Sequence, residues 1–232
     1  MSLGFSAPFK SLVIGSTGAI GSAFCRALGA DPLCESVIEL NRSLYTNFNL
    51  EDEQAIELTL SKPEFAGPFD FVIDATGALT LGEVGPEKSL KALTAPTLNQ
   101  SLWVNCIGPA VLLKLLAPRL SSERSIYAKL SARVGSIGDN KLGGWYSYRA
   151  SKAAFNQIIH TAAIEHHRRH PKAVFVALQP GTVASPLSKP FVEASKALTA
   201  EDSVDGLMKA IAMLEPISGA HFIDFKGKSI PW

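Results

Sequence analysis

LVIGSTGAIGSAF, residues 12–24, runs a short apolar stretch into a glycine-spaced turn and then into a second apolar pattern. Leu12, Val13 and Ile14 suit a buried strand, and Gly15, Gly18 and Gly21 follow at three-residue spacing. From Ile20 onward, Ile20, Phe24, Ala27 and Leu28 recur at helical intervals. Strand, glycine turn and helix in that order can hold a pyrophosphate. Glycine permits a sharp turn and close backbone approach, and a helix N-terminus offers unpaired N–H groups at the positive end of its dipole. Gly15, Ser16, Thr17, Ala19, Ile20 and Gly21 therefore form a candidate dinucleotide cradle.

The same grammar repeats outward from this segment. Apolar runs at 36–40, 69–76, 125–132, 173–178 and 220–225 suit further buried strands. Helical patterns at Glu51 to Leu60, Leu98 to Leu116, Tyr146 to His167 and Glu201 to Leu214 separate them. Strands alternating with helices imply a parallel sheet covered on both faces. The expectation is α/β: a single doubly wound Rossmann domain over residues 1–232, with about seven parallel strands. No linker, repeat or low-complexity tract interrupts it. The stretch 182–200, rich in Pro, Ser, Lys and Ala, is the least patterned and is a candidate substrate loop, with a plain surface connection as the alternative.

Composition narrows the partners. Apolar residues make up 47% and charged residues 19%, as in ordinary globular chains. With 22 Lys and Arg against 21 Asp and Glu, no strong positive field exists to attract nucleic acid or an anionic membrane. Cys25, Cys34 and Cys106 show no CxxC spacing, which fits a reducing compartment. The first residues lack a signal-peptide series, and the longest apolar stretch, Ala110 to Ala117, is interrupted by Lys114. A cytoplasmic protein without a spanning helix is expected. HHRRH at 166–170 reads as the basic end of a helix stopped by Pro171, so no metal site is expected there.

Two further motifs carry chemistry. In ELNRS, Asn41 stands about 20 residues past the glycines, where an acid would take the ribose hydroxyls of NAD. Arg42 follows it, and a guanidinium there suits the 2′-phosphate of NADP; Glu39 is the competing acid and keeps NAD open. In GWYSYRASK, residues 144–152, Tyr148 and Lys152 are four apart and share one face of a helix. A nearby cation favours phenolate, although bringing a phenol from ~10 to neutrality needs ~3 units, about 4 kcal/mol. Such a phenol can give a proton to a carbonyl oxygen, or take one back.

These motifs, with DATG at 74–77, Asn105 in WVNCIGP, the run LSARVGSIGDNKLGGWYSYRASKAAFNQ, PGTVAS after Pro180 and the closing IPW, fall in one order. In that order the chain resembles the short-chain dehydrogenase/reductase family, and within it the C-factor-like and sniffer-type carbonyl reductase branch. The resemblance implies that Tyr148 donates the proton. Lys152 would bind the nicotinamide ribose and lower the phenol's pKa, and Asn105 would extend a proton relay through water. It places Asp74, Ala75, Thr76 and Gly77 along the cofactor after a fourth strand, and Pro180, Gly181 and Val183 beside the nicotinamide. Asn49 falls where the family often has an adenine-contacting Asp.

Three positions depart from the family pattern. Ala19 replaces the second glycine of GxxxGxG, and Asp74 replaces an amide of NNAG. After a fifth strand the usual serine pair reads Ser131-Ala132, so the carbonyl-orienting hydroxyl is Ser131 after a twist of the strand end, Ser136, or absent. The resemblance implies an NADP-dependent oxidoreductase acting on a small carbonyl or alcohol, assembled as a homodimer or homotetramer through its long helices. A signalling or regulatory dinucleotide-binding protein with little turnover is the alternative, motivated by the C-factor likeness and Ala132.

Overall fold

The computed structural model describes residues 3–82, 85–185 and 197–232. The six apolar runs become β1 (Phe9–Ile14), β2 (Cys34–Leu40), β3 (Phe71–Asp74), β4 (Ser125–Leu130), β5 (Ala173–Gln179) and β6 (Ala220–Asp224). All neighbours pair in parallel, in the order β2-β1-β3-β4-β5-β6. The main helices are α1 (Ala19–Gly29), α2 (Glu53–Leu60), α3 (Ala95–Leu102), α4 (Gly108–Leu116), α5 (Tyr146–His167) and α6 (Ala200–Ala212).

Six strands among the described residues, rather than about seven, is a correction with a visible cause. Between β2 and β3 the chain holds α2 and a short 3-10 turn, Pro63–Phe65, with no further apolar run to make a strand. The DATG segment consequently follows the third strand and Ser131 the fourth, not the fourth and fifth.

This topology places the site. The chain leaves β1 to reach β2 on one side, then crosses back to β3 on the other. Connections leaving in opposite directions open a crevice beyond the C-terminal ends of β1 and β3. Helices cover both faces. Val13, Phe71, Ile73, Ile126 and Val174 form one core with Phe24 and Leu28 of α1 and Leu207 and Ile211 of α6. Leu12, Val72, Tyr127 and Phe175 form the other, with Ile56, Leu112 and Phe155 of α2, α4 and α5. Burial on both faces is why the inner strands read as continuous apolar runs instead of alternating ones, whereas β2, at the sheet edge, keeps Glu35 and Glu39 exposed.

The expected helix from Leu98 to Leu116 is longer than its pattern. It starts at Ala95, where the Thr94 side chain accepts from Thr97 N, and it widens to a π turn over Trp103–Ile107. Position 109 is proline, so the Asn105 carbonyl meets no N–H four residues on. The run Ala95–Arg119 is 25 residues long and apolar enough by length and composition to cross a membrane, a test that a buried core helix also passes. Here half of its most apolar part is buried, with Leu112, Leu113 and Leu116 in the core beside Phe155 and Ile159 of α5.

Tyr127 lies wholly within that second core, stacked on Phe175 at 5.9 Å, and its hydroxyl is buried with no hydrogen-bond partner among the described residues. Burying an unpaired hydroxyl is unfavourable. Tyr127→Phe is expected to raise the unfolding free energy by about 1 kcal/mol, read from the urea midpoint at constant m.

Candidate active site

The glycine turn is held by contacts that leave no room for side chains. Gly15 has φ 79° and donates its N–H to Leu40 O at 2.7 Å, tying the end of β1 to β2. A Cβ on Gly21 would stand 2.2 Å from the Gly15 carbonyl oxygen, so only glycine fits where α1 meets the turn. α1 begins at Ala19 with no side-chain cap, leaving its first N–H groups to the crevice. Asn41 is buried and spends its side chain on structure: Nδ2 donates to Ser16 Oγ at 2.8 Å, and Oδ1 accepts from Ser43 N and Leu44 N, both at 2.9 Å. The turn it fixes presents Arg42, which is exposed and unpartnered among the described residues. Glu39, the competing acid, hydrogen-bonds Cys25 on α1 and lines neither cavity described below.

Two cavities of about 480 and 490 Å3 lie along the crevice and share Gly18, Ala75, Thr76 and Gly77. One carries Gly15, Thr17, Asn41, Arg42, Asn49 and Phe48 on its walls. In the other, Ala19, Ile20 and Gly21 face Tyr148, Lys152 and Ser131, with Pro180, Gly181 and Val183 closing one side. Ser16, Asp74 and Asn105 are buried behind these walls. The candidate substrate loop falls largely on 186–196, outside the described residues. Its base is closed by Ala184 N donating to Leu198 O at 2.9 Å and Leu198 N to Thr182 O at 2.8 Å.

α5 carries Tyr148 and Lys152, and its start is unusual. Gly143, Gly144 and Trp145 all have left-handed φ values of 64°, 66° and 55°, and Trp145 offers no side-chain cap. A bulky residue in that region is strained. The cap comes from Glu87, distant in sequence. Its carboxylate accepts from Ser147 N at 3.1 Å and from the Ser147 hydroxyl, while its carbonyl accepts from Trp145 N at 2.5 Å. Burial works to raise the Glu87 pKa, but the Ser147 bonds outweigh it and hold the carboxyl below its usual range. Sequence reading missed Glu87 because a cap supplied sixty residues away leaves no local signature.

Tyr148 is half-buried on the cavity wall, set edge-on to Trp145 at 6.3 Å, and its hydroxyl has no hydrogen-bond partner among the described residues. Lys152 Nζ lies 5.6 Å from the phenol ring centroid and donates to Leu130 O at 3.1 Å. Burial pushes the phenol up to about 12. It also pulls the lysine down to about 7, helped by Lys129 and opposed by Asp74 and Cys106. The expected lowering of the phenol is thus reversed, because a low-dielectric wall disfavours the charged form of both groups.

The serines separate clearly. Ser131 lines the cavity and donates to Asn156 Oδ1 of α5 at 2.7 Å, with Ala132 beside it. Ser136 lines neither cavity; it donates to Pro231 O and accepts from Asp139 N at 3.0 Å, so it stabilises a turn instead. Asn105 clamps the segment after Gly77, its Oδ1 accepting from Ala78 N at 3.0 Å and its Nδ2 donating to Ala78 O at 2.9 Å. Asp74 is paired with Lys129, 3.1 Å from Asp74 Oδ1 and buried inside β4, where the sequence pattern gave no reason to look for a charge.

Comparison with known proteins identifies the family. The family model for short chain dehydrogenase matches residues 10–196. A 1-hydroxy-2-glutathionyl-2-methyl-3-butene dehydrogenase of Rhodococcus sp. (strain AD45) is 32% identical over 183 residues, 78% of this chain and 76% of that protein. C-signal of Myxococcus xanthus is 30% identical over 172 residues, 72% of this chain and 94% of that protein. Among solved structures, an NADPH-bound carbonyl reductase from chicken fatty liver superposes with TM-score 0.82 at 20% identity, covering 99% of this chain and 96% of that one. The carbonyl reductase Sniffer of D. melanogaster gives 0.81 at 20% identity, covering 97% and 100%. The family match spans the strand, turn and helix of the cradle as well as the helix bearing Tyr148 and Lys152, and the chain belongs to the short-chain dehydrogenase family of oxidoreductases.

Proposed function

We propose that the protein is an NADP(H)-dependent oxidoreductase that reduces a small carbonyl compound, or oxidises the matching alcohol, with Tyr148 as the proton donor and acceptor. The observation that carries this reading is the unpartnered phenol hydroxyl on a cavity continuous with the glycine turn. The relatives named as a dehydrogenase and as carbonyl reductases support it, as do neighbours solved with NADP or NADPH.

The residues fit a dinucleotide. Gly21 and Gly77 keep the groove open: a Cβ at Gly77 would approach Asn105 Oδ1 and Lys152 Nζ to 3.0 Å. Uncapped N–H groups of α1 would take the pyrophosphate, with Ser16 and Thr17 in the turn leading to it. Phe48, Asn49 and Leu50 would border the adenine, and the free guanidinium of Arg42 would meet a 2′-phosphate. Ala75, Thr76 and Gly77 would line the middle of the cofactor, and Pro180, Gly181 and Val183 the nicotinamide.

Bound NADPH would supply a hydride to the carbonyl carbon. Tyr148 gives its proton to the carbonyl oxygen, which balances the reduction to an alcohol. A phenol at about 12 is still a far stronger acid than the alcohol formed, so the transfer runs downhill. Lys152, titrating near 7, can return a proton toward the phenol, and the Asn105 carbonyl, without an N–H at position 109, can hold a water in that relay. Ser131 would orient the substrate carbonyl by exchanging its bond to Asn156 for one to the substrate.

That exchange requirement, with Ala132 beside it and the C-signal likeness, favours a second reading: a regulatory protein that binds the dinucleotide with little turnover. A screen of carbonyl substrates with NADPH separates the two, since turnover well above background removes the regulatory reading.

Tyr148→Phe is expected to lower kcat about 10^3-fold while leaving NADPH affinity near that of the parent; an unchanged rate refutes the mechanism. The reductive rate should fall as pH rises through about 7, where Lys152 loses its proton, whereas alcohol oxidation should climb toward pH 12 as phenolate forms. Steady-state pH profiles in both directions check this. Arg42→Ala should weaken NADPH binding about tenfold or more and leave NADH binding unchanged, by fluorescence titration; tighter NADH than NADPH binding by the parent contradicts the NADP assignment.

A further inference from the structure

Asp74 and Lys129 face each other in register across β3 and β4, and their side chains are 0% and 1% exposed. Taking two charges out of water is unfavourable, and a well-packed apolar pair of the same volume is often at least as stable. The contacts of this pair converge on one residue. Asp74 Oδ1 accepts from Thr76 N at 2.9 Å and Thr76 Oγ1 at 2.5 Å, and Lys129 Nζ donates to Thr76 O at 2.5 Å and lies 3.2 Å from Thr76 Oγ1. Thr76 lies in the turn that both cavities share.

The pair also stands next to the anchoring contacts of the site's lysine: Lys152 Nζ donates to Leu130 O at 3.1 Å, one residue after Lys129, and would lie 3.0 Å from a Cβ on Gly77, one residue after Thr76. Lys152 feels Lys129 from β4, Asp74 from β3 and Cys106 from the π turn, with Tyr148 one helical turn away on α5. Lys129 and Asp74 act on it with opposite sign.

We propose that Asp74 and Lys129 form a positioning pair for the reaction, locking the Thr76 turn against the dinucleotide and holding opposed charges behind Lys152. Neither residue lines either cavity, so the pair acts through Thr76 and Lys152. The proposal rests on the reading of Lys152 as part of the proton relay.

The test uses the full chain with NADPH bound and its lysines labelled with 13C at Cε, Lys152 being assigned by its absence in Lys152→Met. Lys129→Met, which leaves the carboxylate alone behind Lys152, should move the Lys152 titration to higher pH. Asp74→Asn, which leaves the ammonium alone, should move it lower, and the double variant should return it toward the parent. The double variant should also bind NADPH about tenfold more weakly, because Thr76 O has lost its charged donor. Unmoved midpoints, midpoints shifted in the same direction, or parent-like NADPH affinity in the double variant overturn the proposal. Should a lone buried charge prevent either single variant from folding, the neutral double variant decides through its NADPH affinity. Titration and affinity do not depend on turnover, so the proposal fails separately from the Tyr148 mechanism, which fails on the activity of Tyr148→Phe.

Discussion

The contact between the Gly15 carbonyl and the α carbon of Gly21 fixes the geometry on which the crevice depends. With a Cβ excluded at 2.2 Å, α1 can start directly against the turn, and its uncapped N–H groups open toward the switch point between β1 and β3. Two further ties keep the turn from drifting: Gly15 N to Leu40 O, and Asn41 to Ser16 Oγ. Both run to the end of β2, so strand pairing and the shape of the anion cradle are one construction. Asn41 thereby shapes the site through bonds within the turn, and Arg42, held by the same turn, is exposed and unpartnered among the described residues.

What could be read from the sequence was what is encoded locally. Six apolar runs became six strands, the inner ones buried on both faces and β2 part-buried at the sheet edge, and α5 occupies Tyr146–His167 as its pattern indicates. The i, i+4 spacing brought Tyr148 and Lys152 to the same wall, since helical periodicity is a local property. Strand number was overestimated because the β2 to β3 connection carries one helix and no additional apolar run. Glu87 and Lys129 escaped notice for a different reason. Each acts only on a partner far along the chain, Ser147 and Asp74, and residues that meet through tertiary contact leave no spacing to recognise. Ser131 was ambiguous for a related reason: its hydroxyl direction is set by Asn156, a residue of α5.

Burial explains the electrostatics better than proximity does. A lysine beside a phenol lowers the phenol's pKa in water-like surroundings, but inside the cavity wall both groups shift toward neutrality, the phenol up to about 12 and the lysine down to about 7. A neutral phenol suits proton donation to a forming alkoxide.

The start of α5 shows how strain is carried to keep this wall in place. Trp145 sits at φ 55°, an unfavourable value for a bulky side chain, after two glycines of the same hand. Its N–H and that of Ser147 are both taken by Glu87. Relaxing Trp145 into an extended conformation would break the bond from its N–H to Glu87 and turn its ring away from Tyr148, 6.3 Å distant. The left-handed turn is held because Glu87 satisfies the N–H groups of Trp145 and Ser147 at the start of α5. A buried carboxylate supplied from far along the chain is thus one of the determinants of where α5, with Tyr148 and Lys152 on it, begins.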